Sequence, residues 1–171
     1  MPTRWSFGTV LSAVAVAALL SLTAAPASAT DPVTLGAGYV LDEVGALSEA
    51  DEQAADARLA ELYASTGVDL YAVFVDEFTN PSSSQEWADT VAEGNGLGPN
   101  QYILAVATES RQFYTSADAT GPLSEDQLLA IEAEVKPYLS DGDYLGAITT
   151  AADGVESALS GGLGSGGFFT A

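Results

Sequence analysis

Carboxylates are the side chains of this sequence with the clearest capacity for chemistry, and many of them stand close together. The closest groups are Asp42-Glu43, Asp76-Glu77, Glu125-Asp126 and Asp141-x-Asp143. Carboxylate oxygens are preferred ligands of Ca²⁺ and Mg²⁺, but Ca²⁺ takes about six to eight oxygens, which usually come from several loops. None of these groups lies in a twelve-residue calcium-binding loop that ends in a bidentate Glu. A metal site would therefore have to be assembled by the fold. For each group alone, helix capping or solvation is the more frequent role.

The residue types that are absent restrict the chemistry further. The sequence has no Cys and no His, which excludes Cys nucleophiles, Ser–His pairs, His general bases and zinc sites built on Cys or His. Carboxylates, hydroxyls, amides and a few cationic side chains remain. Arg111 stands near a predicted strand turn, where it acts either as a clamp for an anionic oxygen or as a surface charge at an acidic sheet edge.

The first 29 residues predict a cleavable export signal. Arg4 precedes an apolar run from Val10 to Leu22, and Ala27-Ser28-Ala29 fits a cleavage site. The run is shorter than the roughly 20 residues of a spanning helix, so an uncleaved N-terminal anchor is the weaker alternative. The protein is therefore expected to be extracytoplasmic, membrane-associated or part of the cell envelope.

The rest of the chain is strongly acidic. It contains 24 Asp and Glu residues against Arg58, Arg111 and Lys136. A field of this sign repels phosphate backbones and anionic membranes, so no nucleic-acid partner is expected. It attracts divalent metal ions or basic partners, although a solvated acidic surface that needs no partner is an equally good explanation.

Hydrophobic periodicity predicts the elements that must position these groups. Four capped helices and three apolar strands follow one another in a single α/β domain. The helices begin after Ser48, Ser83, Ser124 and Asp143, and the strands cover Val68 to Val75, Tyr102 to Ala107 and Gln112 to Thr115. The first two strands are expected to be parallel and the third antiparallel to the second.

Two segments flank the predicted domain, which covers residues 39–159. Residues 30–38 form a short lead-in, and residues 160–171 form a Gly/Ser-rich linker without a core of its own. A linker at this position suggests the front portion of a longer polypeptide, with a membrane tether after it.

Several segments together resemble the TPM domain family. Tyr39 to Ser48 is similar to the opening motif of that domain, a Val-x-Asp-x-Ala-Gly-x-Leu-Ser pattern. The resemblance continues through Trp87, Gly96-Leu97-Gly98, Leu104 to Ala107, Arg111-Gln112 and Gly142-Asp143-Tyr144. Each segment is weakly diagnostic, but their order and spacing are together fairly specific and extend over about residues 39–159.

The resemblance implies a three-layer α/β/α sandwich, a small mixed β-sheet with helices on both faces, at the outer face of a membrane. Some relatives are described as acid phosphatases, others bind divalent cations such as calcium in an acidic cleft, and some assist membrane complexes. Asp42 matches the opening Asp of the family, and Asp126 falls where relatives have an acid just inside the third helix. Asp118 is added from its loop position. The expected metal ligands, for Ca²⁺ or Mg²⁺, are therefore Asp42, Asp118 and Asp126.

The chain departs from the family pattern in two loops. Pro99 to Tyr102 replaces a polar stretch that often carries acids or asparagines and then glycine, and Ser116 to Asp118 replaces a Gly-x-Gly turn. These losses weaken the case for a surviving catalytic site. The export signal, the linker-like tail, the acidic field and the absence of the usual nucleophiles favour a divalent-cation-dependent binding module, with an unidentified protein or envelope partner, over catalysis. The alternative is a metal-dependent acid phosphatase in which the metal activates water against a phosphate monoester. A structural spacer before a membrane anchor is the third hypothesis.

Overall fold

Four helices and six strands make up the part of the chain that the computed structural model describes, residues 29–161. The strands are β1 (Ala29–Thr30), β2 (Val40–Asp42), β3 (Asp69–Val75), β4 (Glu77–Phe78), β5 (Gln101–Ala107) and β6 (Gln112–Ser116), and the helices are α1 (Glu49–Thr66), α2 (Ser84–Gly94), α3 (Glu125–Asp141) and α4 (Tyr144–Leu159). Apart from Ala29, the predicted signal lies outside the described residues, as do residues 162–171 of the predicted linker.

Local capping explains where the helices begin. The hydroxyls of Ser48, Ser83 and Ser124 each accept a hydrogen bond from the backbone N–H three residues later, and the carboxylate of Asp143 does the same for α4. In α3 the side chain of Gln127 also accepts from the backbone of its capping residue, which completes a capping box. All four predicted helix starts are confirmed.

The main sheet has four strands in the order β2-β3-β5-β6. β2, β3 and β5 are parallel, and β6 is antiparallel to β5. The directions predicted for β3, β5 and β6 are therefore confirmed. Neither β2 nor the small parallel pair of β1 with β4 was predicted, because two or three residues are too few to show a strand period.

Helices cover both faces of this sheet. One core cluster joins Leu70, Ala72 and Phe74 of β3 to apolar residues of α1, α3 and α4. The other joins Val73 and Val75 to α2 and the lead-in. Because successive side chains of a strand point to opposite faces, the two clusters lie on opposite sides of the sheet. The expected three-layer α/β/α sandwich is confirmed.

The directions of the strands give the sheet two distinct ends. β2, β3 and β5 finish at Asp42, Val75 and Ala107, which mark what we call the carboxyl end. The opposite end, which we call the amino end, carries the starts of β3 and β5. Because β6 runs antiparallel, its last residue, Ser116, also lies at the amino end.

The lead-in is attached to α2 by side-chain hydrogen bonds. The indole Nε1 of Trp87 donates to the carbonyl of Thr30 at 2.9 Å. The amide of Asn95 donates to the carbonyl of Val33 at 3.0 Å and accepts from the N–H of Leu35 at 2.8 Å. Across residues 29–161, every helix is too short or too polar to cross a membrane.

Candidate functional site

Asp42 ends β2 and uses its carboxylate within its own loop. Oδ1 accepts hydrogen bonds from the backbone N–H groups of Val44 and Ala46 at 3.1 Å each, and Oδ2 accepts from that of Leu47 at 2.8 Å. A carboxylate offers about four lone-pair sites, so three backbone donors occupy most of them. The side chain therefore shapes the turn that leads to Ser48 and α1.

Asp118 and Asp126 lie on either side of the start of α3. The hydroxyl and the backbone N–H of Thr120 donate to Oδ1 of Asp118 at 2.6 and 2.7 Å. These two hydrogen bonds lower the pKa of Asp118 from its ordinary value, so the carboxylate is anionic at neutral pH. Asp126 is exposed in the first turn of α3, where the helix dipole favours an acid.

The three predicted metal ligands are not brought into one cluster. Through the strand register Asp42 is level with Val106, whereas Ser116, two residues before Asp118, is level with Ile103. The two positions are therefore separated by three residues along the strand direction, about 10 Å, and by three strand spacings across the sheet, about 14 Å. Ligands of one metal ion lie only about 2.3–2.6 Å from it. Within the described residues no group of three or more acids is arranged to hold a metal ion. The structure thus differs from the expected three-acid cleft.

Asp118 instead lines a pocket of about 240 Å³ at the amino end of the sheet. Two acids of α2 line the same pocket, and its lining includes neither Lys nor Arg. The lining residues are Asp89, Ala92, Glu93, Leu97, Gly98, Gln101, Ser116, Ala117 and Asp118. We call this the acidic pocket.

The wall of the acidic pocket holds one of its carboxylates in place. Ser116 is only 5% exposed, and its hydroxyl donates to Oδ1 of Asp89 at 2.6 Å. The pKa of the neighbouring Tyr114 is raised by burial and, to a smaller extent, by the negative charges of Asp89 and Glu132. Fixed carboxylates and a negative local potential both favour a positively charged ligand.

Asp89 and Glu93 were missed by the sequence analysis. They stand four residues apart on α2 and therefore share one face of the helix, which is a signal that the sequence does contain. What the sequence does not show is that this face meets the loop after β6, because that contact depends on how α2 packs against the sheet.

Arg111 lies at the other end of the sheet. It lines a pocket of about 260 Å³ between the β5–β6 turn and the junction of α3 with α4, together with Lys136 and Asp141. We call this the cationic pocket. Arg58, by contrast, forms ion pairs with Asp153 at 2.7 Å and with Glu156 at 2.8 Å, linking α1 to α4.

Comparison with known proteins gives both a family and individual relatives. A family model described as the TPM domain matches residues 40–158. The UPF0603 proteins MT2410 and Rv2345, from the CDC 1551 / Oshkosh and ATCC 25618 / H37Rv strains of Mycobacterium tuberculosis, are each 34% identical to this chain over 150 residues. The match covers 86% of this chain but 22% of each relative, so the chain spans about a fifth of their length.

Two solved structures have a similar fold. The solution NMR structure of the N-terminal domain of the cg2496 protein from Corynebacterium glutamicum superimposes with a TM-score of 0.63 and 26% identity, covering 80% of this chain and 94% of that one. The solution NMR structure of the N-terminal domain of a protein from P. gingivalis gives 0.58 and 26%, covering 73% and 83%. Since the family model extends over well more than half of the sequence, the chain belongs to the TPM domain family.

Proposed function

We propose that this TPM domain acts outside the cytoplasm as a binding module of the cell envelope, and that its acidic pocket binds a divalent cation. One observation carries the proposal: Asp89, Glu93 and Asp118 line a single pocket whose lining contains no Lys or Arg. The three acids do not converge on one point as a complete ligand set, so the ion would be held partly through its own water molecules. Because like charges in one site disfavour one another, a bound cation lowers the free energy of the pocket.

The two best-held carboxylates are prepared for such a ligand. Asp89 is fixed by the hydroxyl of Ser116, and Asp118 by Thr120, so little side-chain entropy is lost when a cation binds. Mg²⁺ commonly keeps several of its waters and binds through one or two carboxylates, and Ca²⁺ also accepts water among its ligands. A partly hydrated ion therefore suits this pocket better than a cage made only of protein oxygens.

The predicted export signal and the family resemblance support a location outside the cytoplasm. Extracellular calcium modules bind with dissociation constants of about 10⁻⁴ to 10⁻³ M, and a pocket with two fixed carboxylates belongs in that range. A basic side chain of an envelope partner would compete with the cation for the same carboxylates.

The negative charge of the acidic pocket favours cation binding over hydrolysis of a phosphate monoester. A phosphate monoester carries nearly two negative charges at neutral pH, about −1.5 to −2. Three carboxylates around one divalent cation still leave a net negative charge, which repels such a substrate. The buried hydroxyl of Ser116 already donates to Asp89. Phosphatase activity, the alternative drawn from the resemblance, is measured in the same experiment.

Calorimetric titration of the chain from Thr30 onward with CaCl₂ and MgCl₂ tests the proposal. We expect saturable binding that Asp89→Asn and Asp118→Asn each weaken at least about tenfold, which is roughly 1.4 kcal/mol. Asp126→Asn is the matched control, because it removes the same charge from an exposed residue that does not line the pocket.

Three results would count against the proposal. They are the absence of heat at millimolar metal, equal affinity in all variants, and loss of affinity in Asp126→Asn alone. Turnover of p-nitrophenyl phosphate by the wild type that Asp118→Asn abolishes would replace binding with hydrolysis as the function of the pocket.

A further inference from the structure

The cationic pocket contains the two basic side chains of the described residues that have no partner. Arg111 and Lys136 form no ion pair or side-chain hydrogen bond within residues 29–161, and both ion pairs there belong to Arg58. The same residues include 24 acids, so unpaired cations are unexpected. That both line one pocket indicates a site for a ligand of negative charge.

Part of the lining of the cationic pocket is apolar. Val106 and Ala107 of β5 are buried, and Phe113, Leu139 and Tyr144 also line the pocket. A volume of about 260 Å³ lies just below the roughly 300–1,000 Å³ of sites for drug-sized ligands. The pocket therefore suits a small ligand that combines an anionic group with an apolar body.

Backbone geometry at Arg111 supports a functional role. Its φ is +53°, a left-handed conformation that side-chain-bearing residues rarely adopt and that glycine or asparagine usually supplies in turns. Such strain is concentrated at binding and active sites, where the gain comes from the position of the side chain. Here the residue in that conformation lines the pocket.

The charges of the pocket distinguish one anion class from another. Arg111 and Lys136 are offset in part by Asp141, which also lines the pocket, so the charged side chains of the lining sum to a single positive charge. A carboxylate carries one negative charge and matches the planar fork of a guanidinium. A phosphate ester, at about −1.5 to −2, would meet uncompensated repulsion from Asp141 and from the acidic domain as a whole.

We propose that the cationic pocket binds a small monocarboxylate with an apolar body, its carboxylate held by Arg111 and Lys136. This site lies at the opposite end of the sheet from the acidic pocket and does not depend on the function proposed for that pocket. Thr108 and Ser140 also line the pocket, but their hydroxyls already donate to the carbonyls of Val75 and Lys136. Arg111 and Lys136 therefore provide the charged donors for the carboxylate.

Phenylacetate is the probe for the test, with binding followed by ¹H–¹⁵N NMR of the metal-free chain from Thr30 onward. We expect saturable shifts at the amides of Thr108, Gln112 and Gly142. Arg111→Gln and Lys136→Gln are each expected to weaken binding about tenfold or more. The control is Gln53→Glu, which makes the same change in net charge on an exposed position of α1 and should alter affinity less than about twofold, since exposed charges at a distance are screened.

Three further ligands separate the parts of the proposal. Acetate lacks the apolar body, 2-phenylethanol lacks the charge, and phenyl phosphate carries a larger charge; all three should bind more weakly than phenylacetate. Shifts that do not saturate, affinity unchanged in Arg111→Gln and Lys136→Gln, or loss of affinity in Gln53→Glu would overturn the assignment. Acetate or 2-phenylethanol binding as tightly as phenylacetate, or phenyl phosphate binding more tightly, would equally overturn the ligand class. Circular dichroism of each variant verifies that it is folded.

Discussion

Replacement of Asp42 by Ala removes the acceptor of three backbone hydrogen bonds at once. The carboxylate accepts from the N–H groups of Val44, Ala46 and Leu47, which lie in the turn between β2 and α1. Without it these donors must turn to water or remain unpaired. The predicted effect is a loss of folding stability, because the side chain shapes the backbone.

The magnitude follows from the number of bonds and their exposure. A hydrogen bond to a charged group contributes about 1.5–3 kcal/mol when the partner becomes unsatisfied, but this loop is only partly buried and water can reach some of the freed donors. Asp42→Ala should therefore lower the free energy of unfolding by about 2–4 kcal/mol. Asp42→Asn keeps one acceptor oxygen and presents an NH₂ group to the N–H of Leu47, so a loss of about 1–2 kcal/mol is expected.

Urea denaturation followed by circular dichroism, in the absence of metal, measures the effect. Glu43→Ala is the matched control, because Glu43 is the next residue, carries the same charge and is exposed. Surface substitutions of that kind usually change stability by less than about 0.5 kcal/mol. Equal stabilities of Asp42→Ala and Glu43→Ala would refute the structural role. A stable Asp42→Asn variant that had lost calcium affinity would restore Asp42 as a metal ligand.

Three other substitutions test the packing and the electrostatics of the fold. Trp87→Phe loses the indole hydrogen bond to the lead-in and part of a fully buried side chain. Thermal or urea denaturation should show a free energy of unfolding lower by about 2–3 kcal/mol. A decrease of less than about 1 kcal/mol would be inconsistent with that packing. Gly154→Ala places a Cβ 2.8 Å from Cγ1 of Ile131. We expect the free energy of unfolding to fall by about 1–2 kcal/mol, because overpacking outweighs the gain in helix propensity. Stabilisation in the same assay would show that α3 and α4 can separate freely. The hydroxyl of Ser65 is the largest cause of the lowered pKa of Glu156. A carboxylate whose pKa is lower in the folded state stabilises the fold at pH values above its unfolded pKa of about 4.3, and this contribution disappears as the pH falls. Ser65→Ala should therefore reduce the difference in the free energy of unfolding between neutral pH and pH below about 4. An unchanged difference would contradict the assignment.

The helices could be predicted because their signals are local. Ser48, Ser83 and Ser124 each stand before an apolar stripe, and the capping hydrogen bond forms within four residues of the chain. The buried strands β3 and β5 were equally visible, because nearly continuous apolar runs are typical of parallel strands covered on both faces. Local physical chemistry therefore determines most of the secondary structure, whereas the layer order was an implication of the family resemblance.

The candidate site could not be predicted because it depends on which residues share an end of the sheet. β2 has three residues, too few to be seen as a strand, so nothing in the sequence placed Asp42 at the carboxyl end. The antiparallel direction of β6 was predicted, but without β2 it could not show that Asp118 lies at the opposite end. Asp118 and Asp89 line one pocket because α2 packs against the sheet, and Arg111 and Lys136 line another because α3 packs against it. Neither packing arrangement can be predicted from a local sequence pattern.

The most direct measurement of the central claim is a calcium titration of the ¹⁵N-labelled chain followed by NMR. If the acidic pocket binds the cation, saturable shifts should be largest at the amides of Asp89, Ser116 and Asp118, and the amides of Val44 and Leu47 beside Asp42 should not move. Shifts concentrated around Asp42 or Asp126, or no saturable shifts at millimolar calcium, would contradict the proposal that the amino end of this TPM domain is its cation-binding site.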